Sequence, residues 1–146
     1  MLKGIPAILS PELLMTLCEM GHGDRLVIAD GNFPGESVGK NAIVIRADGH
    51  GVPELLDAIL TLMPLDTYVE HPVNLMEVVP GDPVETPIWK EYEEIVAKHD
   101  PRGKKAIGQI ERFEFYREAS ENYCIIMTGE KALYANIMLQ KGVVTE

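Results

Sequence analysis

The residues best suited to proton chemistry lie in Glu19-Met-Gly-His-Gly-Asp24, with Asp30 following in Ala29-Asp-Gly-Asn-Phe-Pro34. An imidazole is the side chain whose ordinary titration lies nearest neutrality. His22 can therefore give and take a proton, while the Asp30 carboxylate can orient it or hold a substrate hydroxyl. Glycines on either side of His22 let the backbone turn sharply and a ligand come close to the ring. Arg25 to Ala29 reads as a short strand returning from that turn, which is expected to bring His22 and Asp30 together. A structural role competes, because a cation just after a helix suits the negative end of the helix dipole. The local sequence leaves both roles open.

Other groups have chemistry available to them. Tyr134 and Asn136 alternate along the last apolar segment and project the same way, so a phenol and an amide form a hydrogen-bonding rim suited to a polyhydroxylated ligand. Arg112 is either a solvated charge or, at the mouth of a cleft, a donor to hydroxyls. Tyr116 and Tyr123 read as core or edge aromatics. A metal site assembled from His22, Asp24, Asp30, Asp48 and His50 is a secondary possibility, since these residues lack the tight ligand spacing of zinc or iron motifs. Gly21-His-Gly23 echoes a dinucleotide-binding loop, but it follows a helix and opens a strand, the reverse of the order that motif requires.

The elements that must position these groups follow from local signals. Ser10-Pro-Glu12 starts a helix, with a capping hydroxyl, a proline at the first turn and an acid at the positive end of the dipole. Leu13, Leu14, Leu17, Cys18 and Met20 carry its apolar periodicity, and Gly21 ends it. Arg25-Leu-Val-Ile-Ala29 and Asn41-Ala-Ile-Val-Ile45 read as buried strands, the second ending in Arg46-Ala-Asp48, with a loop over Gly31 to Lys40 between them. Val52 to Met63 is a helix and Val73 to Val79 a strand. Pro87 to Lys98 is a surface helix, and Ile107 to Ile110 a short strand. Arg112 opens a helix to about Asn122, Tyr123 to Met127 is strand-like, and Tyr134 to Leu139 alternates as a final strand. Strands alternating with helices predict an α/β class, a layered α/β/α arrangement with a mixed central sheet, in a single domain over 1–146.

Composition excludes several classes. The chain has 146 residues, 46% of them apolar, as in an ordinary globular protein. Thirteen basic against twenty-three acidic residues give a formal charge of −10, which opposes nucleic-acid phosphates and anionic lipid. No apolar run reaches the roughly 20 residues of a membrane span, and the N-terminus has no uninterrupted signal core, so a cytoplasmic location is expected. Cys18 and Cys124 lie in apolar surroundings far apart in sequence and read as buried, reduced thiols.

The ordered motifs Leu2-x-Gly-Ile-Pro6, Ser10-Pro-Glu-Leu-Leu14, Met20-Gly-His-Gly-Asp24, Asn32-Phe-Pro34, Ile45-Arg-Ala-Asp-Gly49, Arg112-Phe-x-Phe-Tyr116, Thr128-Gly-Glu130, Tyr134-Ala-Asn136 and Lys141-Gly142 resemble the L-fucose mutarotase and D-ribose pyranase family from end to end. The resemblance is strongest to the fucose branch. It implies an isomerase that interconverts the anomers of a monosaccharide by opening and closing its ring, with neither metal nor organic cofactor. It also implies a ring-shaped homo-oligomer, commonly a decamer, with clefts between subunits. By the same resemblance His22 is the acid/base group and Asp30 a substrate-binding carboxylate. Arg112 stands where the fucose branch has arginine, and Tyr134, Ala135 and Asn136 match the C-terminal sugar contacts. Alternatives are pyranose/furanose interconversion of D-ribose, a sugar-binding accessory protein without turnover, and a metal-dependent hydrolase or isomerase.

Overall fold

The helix expected after Ser10 forms over Pro11–Glu19 (α1) in the computed structural model, which describes residues 1–146. The Ser10 hydroxyl accepts from the Leu13 N–H at 3.1 Å, satisfying one of the free donors of the first turn. The chain continues through β1 (Arg25–Ala29), α2 (Gly35–Val38), β2 (Ile43–Ala47), α3 (Val52–Leu62), β3 (Val73–Met76) and α4 (Ile88–His99). A 3-10 turn over Gly103–Ala106 leads into β4 (Ile107–Ile110), α5 (Arg112–Ser120), β5 (Cys124–Thr128) and β6 (Ile137–Gln140).

The six strands form one sheet in the order β2-β5-β1-β6-β3-β4. β6 runs antiparallel to both β1 and β3, and the pairs β1/β5, β2/β5 and β3/β4 are parallel. Five strands therefore end on one edge of the sheet, and β6 alone begins there. That edge collects the loops in which parallel sheets hold their ligands.

Side-chain alternation divides the sheet into two faces. Leu26, Ile28, Ile126, Ile137, Leu139 and Leu75 pack toward α1, α3 and α4 with Leu13, Leu56, Ile59 and Tyr92. Val27, Ala29, Ile125, Met127 and Met138 pack on the other face with Phe33, Phe115 and Ala119. The result is the expected layered α/β/α arrangement with a mixed sheet, each buried Leu or Ile being worth on the order of 1.5–3 kcal/mol.

Several boundaries differ from the sequence reading, each for a tertiary reason. β2 starts at Ile43 and extends through Ala47, because its parallel register pairs Ile43 with Cys124 and Ala47 with Thr128. The loop after Asp30 holds the single helical turn α2. There Gly35 lies so close to Met127 that a Cβ would stand 2.2 Å from its sulfur. β3 stops at Met76, and β6 begins only at Ile137, because Tyr134 has φ +54 and bends the chain. Cys124 is buried as expected. Cys18 is exposed, because it lies off the α1 face that carries the buried Leu13, Thr16 and Leu17, and both thiols are free. No helix is long and apolar enough to cross a membrane.

Candidate functional site

At the edge where five strands end lies a cleft of about 250 Å³. Asp30 leaves β1 there, Arg112 opens α5 just after β4, and Tyr134 and Asn136 precede β6, so four of the expected site residues line one cavity. Asn32, Asp82 and Tyr116 add polar groups to its rim, while Phe33, Met76 and Leu133 supply an apolar wall.

Asp30 is only 7% exposed. Burial pushes its carboxyl above the usual range, against the opposing pull of the N–H groups of Asn32, Phe33 and Ala135. The Asn32 N–H donates to Asp30 Oδ1 at 3.0 Å, and the Asp30 N–H donates to Asn136 Oδ1 at 2.8 Å. That second bond fixes the flip of the Asn136 amide and leaves its NH2 group without a protein partner on the cleft side. The Arg112 guanidinium stands 5.4 Å from the Phe113 ring centre and 5.8 Å from that of Tyr116. The Tyr116 hydroxyl is the main cause that raises its pKa, so it is a permanent cation at the rim.

Tyr134 is held rather than loose. Its carbonyl accepts from the Trp89 indole N–H at 2.8 Å. Its hydroxyl donates to Asp82 Oδ2 at 2.7 Å and accepts from the Val79 N–H at 3.3 Å. Ala135 does not line the cleft. It is fully buried, its carbonyl accepts from the Tyr92 hydroxyl at 2.7 Å, and its N–H supports Asp30.

His22 is not in this cleft. It precedes β1 and Asp30 follows it, so the extended strand separates them by roughly 17 Å at about 3.3 Å per residue. The strand does not return the chain to the histidine but carries it to the opposite edge of the sheet. The expected proximity of His22 and Asp30 within one subunit is therefore not what the fold produces.

His22 instead belongs to a second polar cluster. Its Nε2 lies 3.0 Å from Asp66 Oδ1, and its ring centre is 5.0 Å from that of Tyr68. Asp66 is 2% exposed, and its oxygens also accept from the Tyr68 N–H at 3.0 Å and the Gln140 side-chain amide at 2.9 Å. Burial by itself would push the Asp66 carboxyl up, but the donors from Tyr68, His22 and Gln140 outweigh it and hold it below the ordinary range. A buried anion thus steadies one nitrogen of a half-exposed imidazole, an arrangement that orients the ring for proton transfer. The turn is pinned to the end of β6 by the Gly23 N–H donating to the Lys141 carbonyl at 2.9 Å, with Gly23 at φ +86. The helix-capping role weighed for His22 falls to Lys141, whose ammonium donates to the Leu17 and Met20 carbonyls.

The residues weighed as a metal set are scattered. His22 and Asp24 lie at one sheet edge, and Asp30, Asp48 and His50 at the other. Asp48 chelates Arg46 at 2.7 and 3.1 Å, and His50 pairs with Glu54 at 3.2 Å. No three His, Cys, Asp or Glu side chains converge on a point that could hold a metal ion.

Sequence reasoning did not single out Asn32, Phe33, Met76, Asp66, Asp82 or Leu133 as site residues. Asn32 and Phe33 follow Asp30 in the same strand-end loop, a signal that was there to be used. Asp66 follows a β-bridge after α3 and Asp82 lies in the Pro80–Pro83 turn, and only the fold brings them to His22 and Tyr134.

Comparisons with known proteins agree with this architecture. A model of the RbsD / FucU transport protein family matches residues 3–144. The fucose mutarotase of Homo sapiens is 52% identical over 146 residues, covering 97% of this chain and 94% of that one. Among solved structures, FucU from Bifidobacterium longum is 65% identical with a TM-score of 0.96, covering 97% of this chain and 99% of that one. The fucose mutarotase from Streptococcus pneumoniae in complex with L-fucose is 48% identical with a TM-score of 0.92, covering 99% of this chain and all of that one.

Proposed function

This chain belongs to the RbsD / FucU transport protein family, and from that premise we propose that it is an isomerase interconverting the α and β anomers of L-fucose. The observation that carries the reading is a cleft divided into a hydrogen-bonding rim and an apolar wall, in a chain that aligns end to end with fucose mutarotases. A 6-deoxyhexose has the matching division, with ring hydroxyls for Asp30, Arg112 and Asn136 and a methyl group for Phe33, Met76 and Leu133. The residues 1–146 act as a single mutarotase domain.

Anomer exchange needs the proton of the anomeric hydroxyl removed and a proton delivered to the ring oxygen. The C1–O5 bond then breaks to give an open-chain aldehyde. After rotation about C1–C2 the steps reverse and the ring closes with the other configuration, so nothing is consumed. His22 is the acid/base group in this reading, with Asp66 orienting it, and Asp30, Arg112 and Asn136 hold the sugar.

His22 reaches that sugar from a neighbouring subunit. Two features support the assignment: one subunit holds the histidine and the cleft at opposite sheet edges, and both places are flanked by large exposed apolar groups. Tyr68 beside His22 is 78% exposed, and Phe113 and Leu133 beside the cleft are 69% and 55% exposed. The assembly is a homo-oligomer, a decamer by family resemblance, with each cleft completed by its neighbour. The location is cytoplasmic, a reading that two unpaired cysteines suit.

NMR saturation transfer between the anomeric signals of L-fucose tests the activity. The protein is expected to speed exchange well beyond the buffer rate. Binding of L-fucose without faster exchange would make this a sugar-binding protein and overturn the enzymatic reading.

A further inference from the structure

The segment Val78 to Glu85 between β3 and α4 has no regular structure and brings Asp82 to the rim of the cleft. Inside it the Asp82 N–H donates to the Val79 carbonyl at 3.0 Å across Gly81, which has φ +87. Its hydrogen bonds to the rest of the protein all meet at a single atom, the Tyr134 hydroxyl, which accepts from Val79 and donates to Asp82. Tyr134 is also the only non-glycine residue with positive φ. A left-handed tyrosine is strained and persists only where its surroundings hold it. Here Trp89 grips its carbonyl, and the side chain is thereby aimed at Asp82.

The phenol occupies Oδ2 of Asp82, and Oδ1 has no donor from the protein. An ionised carboxylate only accepts, so the open oxygen at the cleft rim is available to a ligand hydroxyl. Asp30 is the other carboxylate lining the cleft, and Arg112 the cation.

We propose that Asp82 reads one ring hydroxyl of the bound sugar and, oriented by Tyr134, sets which monosaccharides the cleft accepts. Asp82 is a specificity residue and Tyr134 its positioning residue, and neither moves the transferred proton. The inference rests on the reading of the cleft as an L-fucose site.

The test pairs Asp82→Asn with L-fucose and its monodeoxy analogues, measuring binding by calorimetry and exchange by saturation transfer. Asp82→Asn should weaken L-fucose roughly tenfold, the scale of one hydrogen bond to a charged group, with the loss falling on KM rather than on the saturating rate. For the one analogue lacking the hydroxyl that Asp82 reads, wild type and Asp82→Asn should bind alike. Tyr134→Phe should give the same pattern more weakly and add nothing to Asp82→Asn in the double variant, with melting temperatures reporting that all variants are folded. Equal weakening of every analogue would mean that Asp82 only fastens the loop, and unchanged affinity would mean that it does not touch sugar; either overturns the proposal. Failure of wild type to bind L-fucose at all removes the reading of the cleft together with this inference, whereas binding indifferent to Asp82 removes this inference alone.

Discussion

The two edges of the sheet are built on different terms. The cleft edge gathers Asp30, Arg112, Tyr134 and Asn136 from three separate segments around a cavity lined by hydrogen-bond donors and acceptors. The other edge holds the His22 imidazole, hydrogen-bonded to a buried carboxylate and standing half exposed outside that cleft. The first can select a ligand and the second can move a proton. A single subunit carries both capacities and, across the length of β1, keeps them apart. On the proposed neighbour-completed cleft, that separation would make activity a property of the assembly.

The largest effect should come from removing the proton-moving end. His22→Ala is expected to lower catalysed L-fucose anomer exchange by about 10²–10⁴-fold, while titration still detects sugar in the cleft. Full activity in the variant would transfer the chemistry to the cleft edge and dissolve the contrast.

Mixing subunits sharpens it further. When His22→Ala and Arg112→Ala chains are unfolded together and reassembled in equal amounts, about a quarter of sites should recover both intact halves if each is shared between neighbours. Two inactive parents giving an inactive mixture would mean that the site lies within one subunit.

Asp66→Asn should cost about 1–3 kcal/mol of stability at neutral pH, because it weakens a nearly fully buried acceptor of three hydrogen bonds. The Asp66 carboxyl is held below its ordinary value of 3.8, so its contribution is present above that value and is lost as pH falls through the lower folded one. The gap between wild type and variant in thermal melts should accordingly close in acid. A gap that persists would make the residue a packing element rather than an anion.

Asp30→Asn should do the opposite at the cleft edge. Its carboxyl is raised above 3.8 by burial, so the folded state favours the proton: this contribution is full below 3.8 and is lost as pH rises through the higher folded value. At neutral pH the variant should melt no lower than wild type, while L-fucose binds roughly tenfold to a hundredfold more weakly, the worth of a charged hydrogen bond. Equal losses of affinity and stability would make Asp30 structural.

The correspondence between sequence and fold divides along the same line. Ser10 capping α1, the short continuous apolar runs of β1 and β5, and the strand-end position of Asp30 were readable because each is decided within a few residues. The start of β2 was misjudged because its register belongs to β5, and the start of β6 because a left-handed Tyr134 is imposed by Trp89, 45 residues away. Alternation does put Ala135, Ile137 and Leu139 on one face and Met138 on the other.

By itself the sequence determined which groups are available: one imidazole between glycines, a carboxylate at a strand end, an arginine opening a helix, and a Tyr-x-Asn pair in the last apolar segment. It also determined the elements that carry them, since caps, turns and periodicity are local. The tertiary structure alone decided where those groups stand. Inserting antiparallel β6 between β1 and β3 brings Asn136 beside Asp30 and leaves His22 at the far edge with Asp66, and strand order is settled by pairing and packing across the whole chain rather than by any one stretch of it.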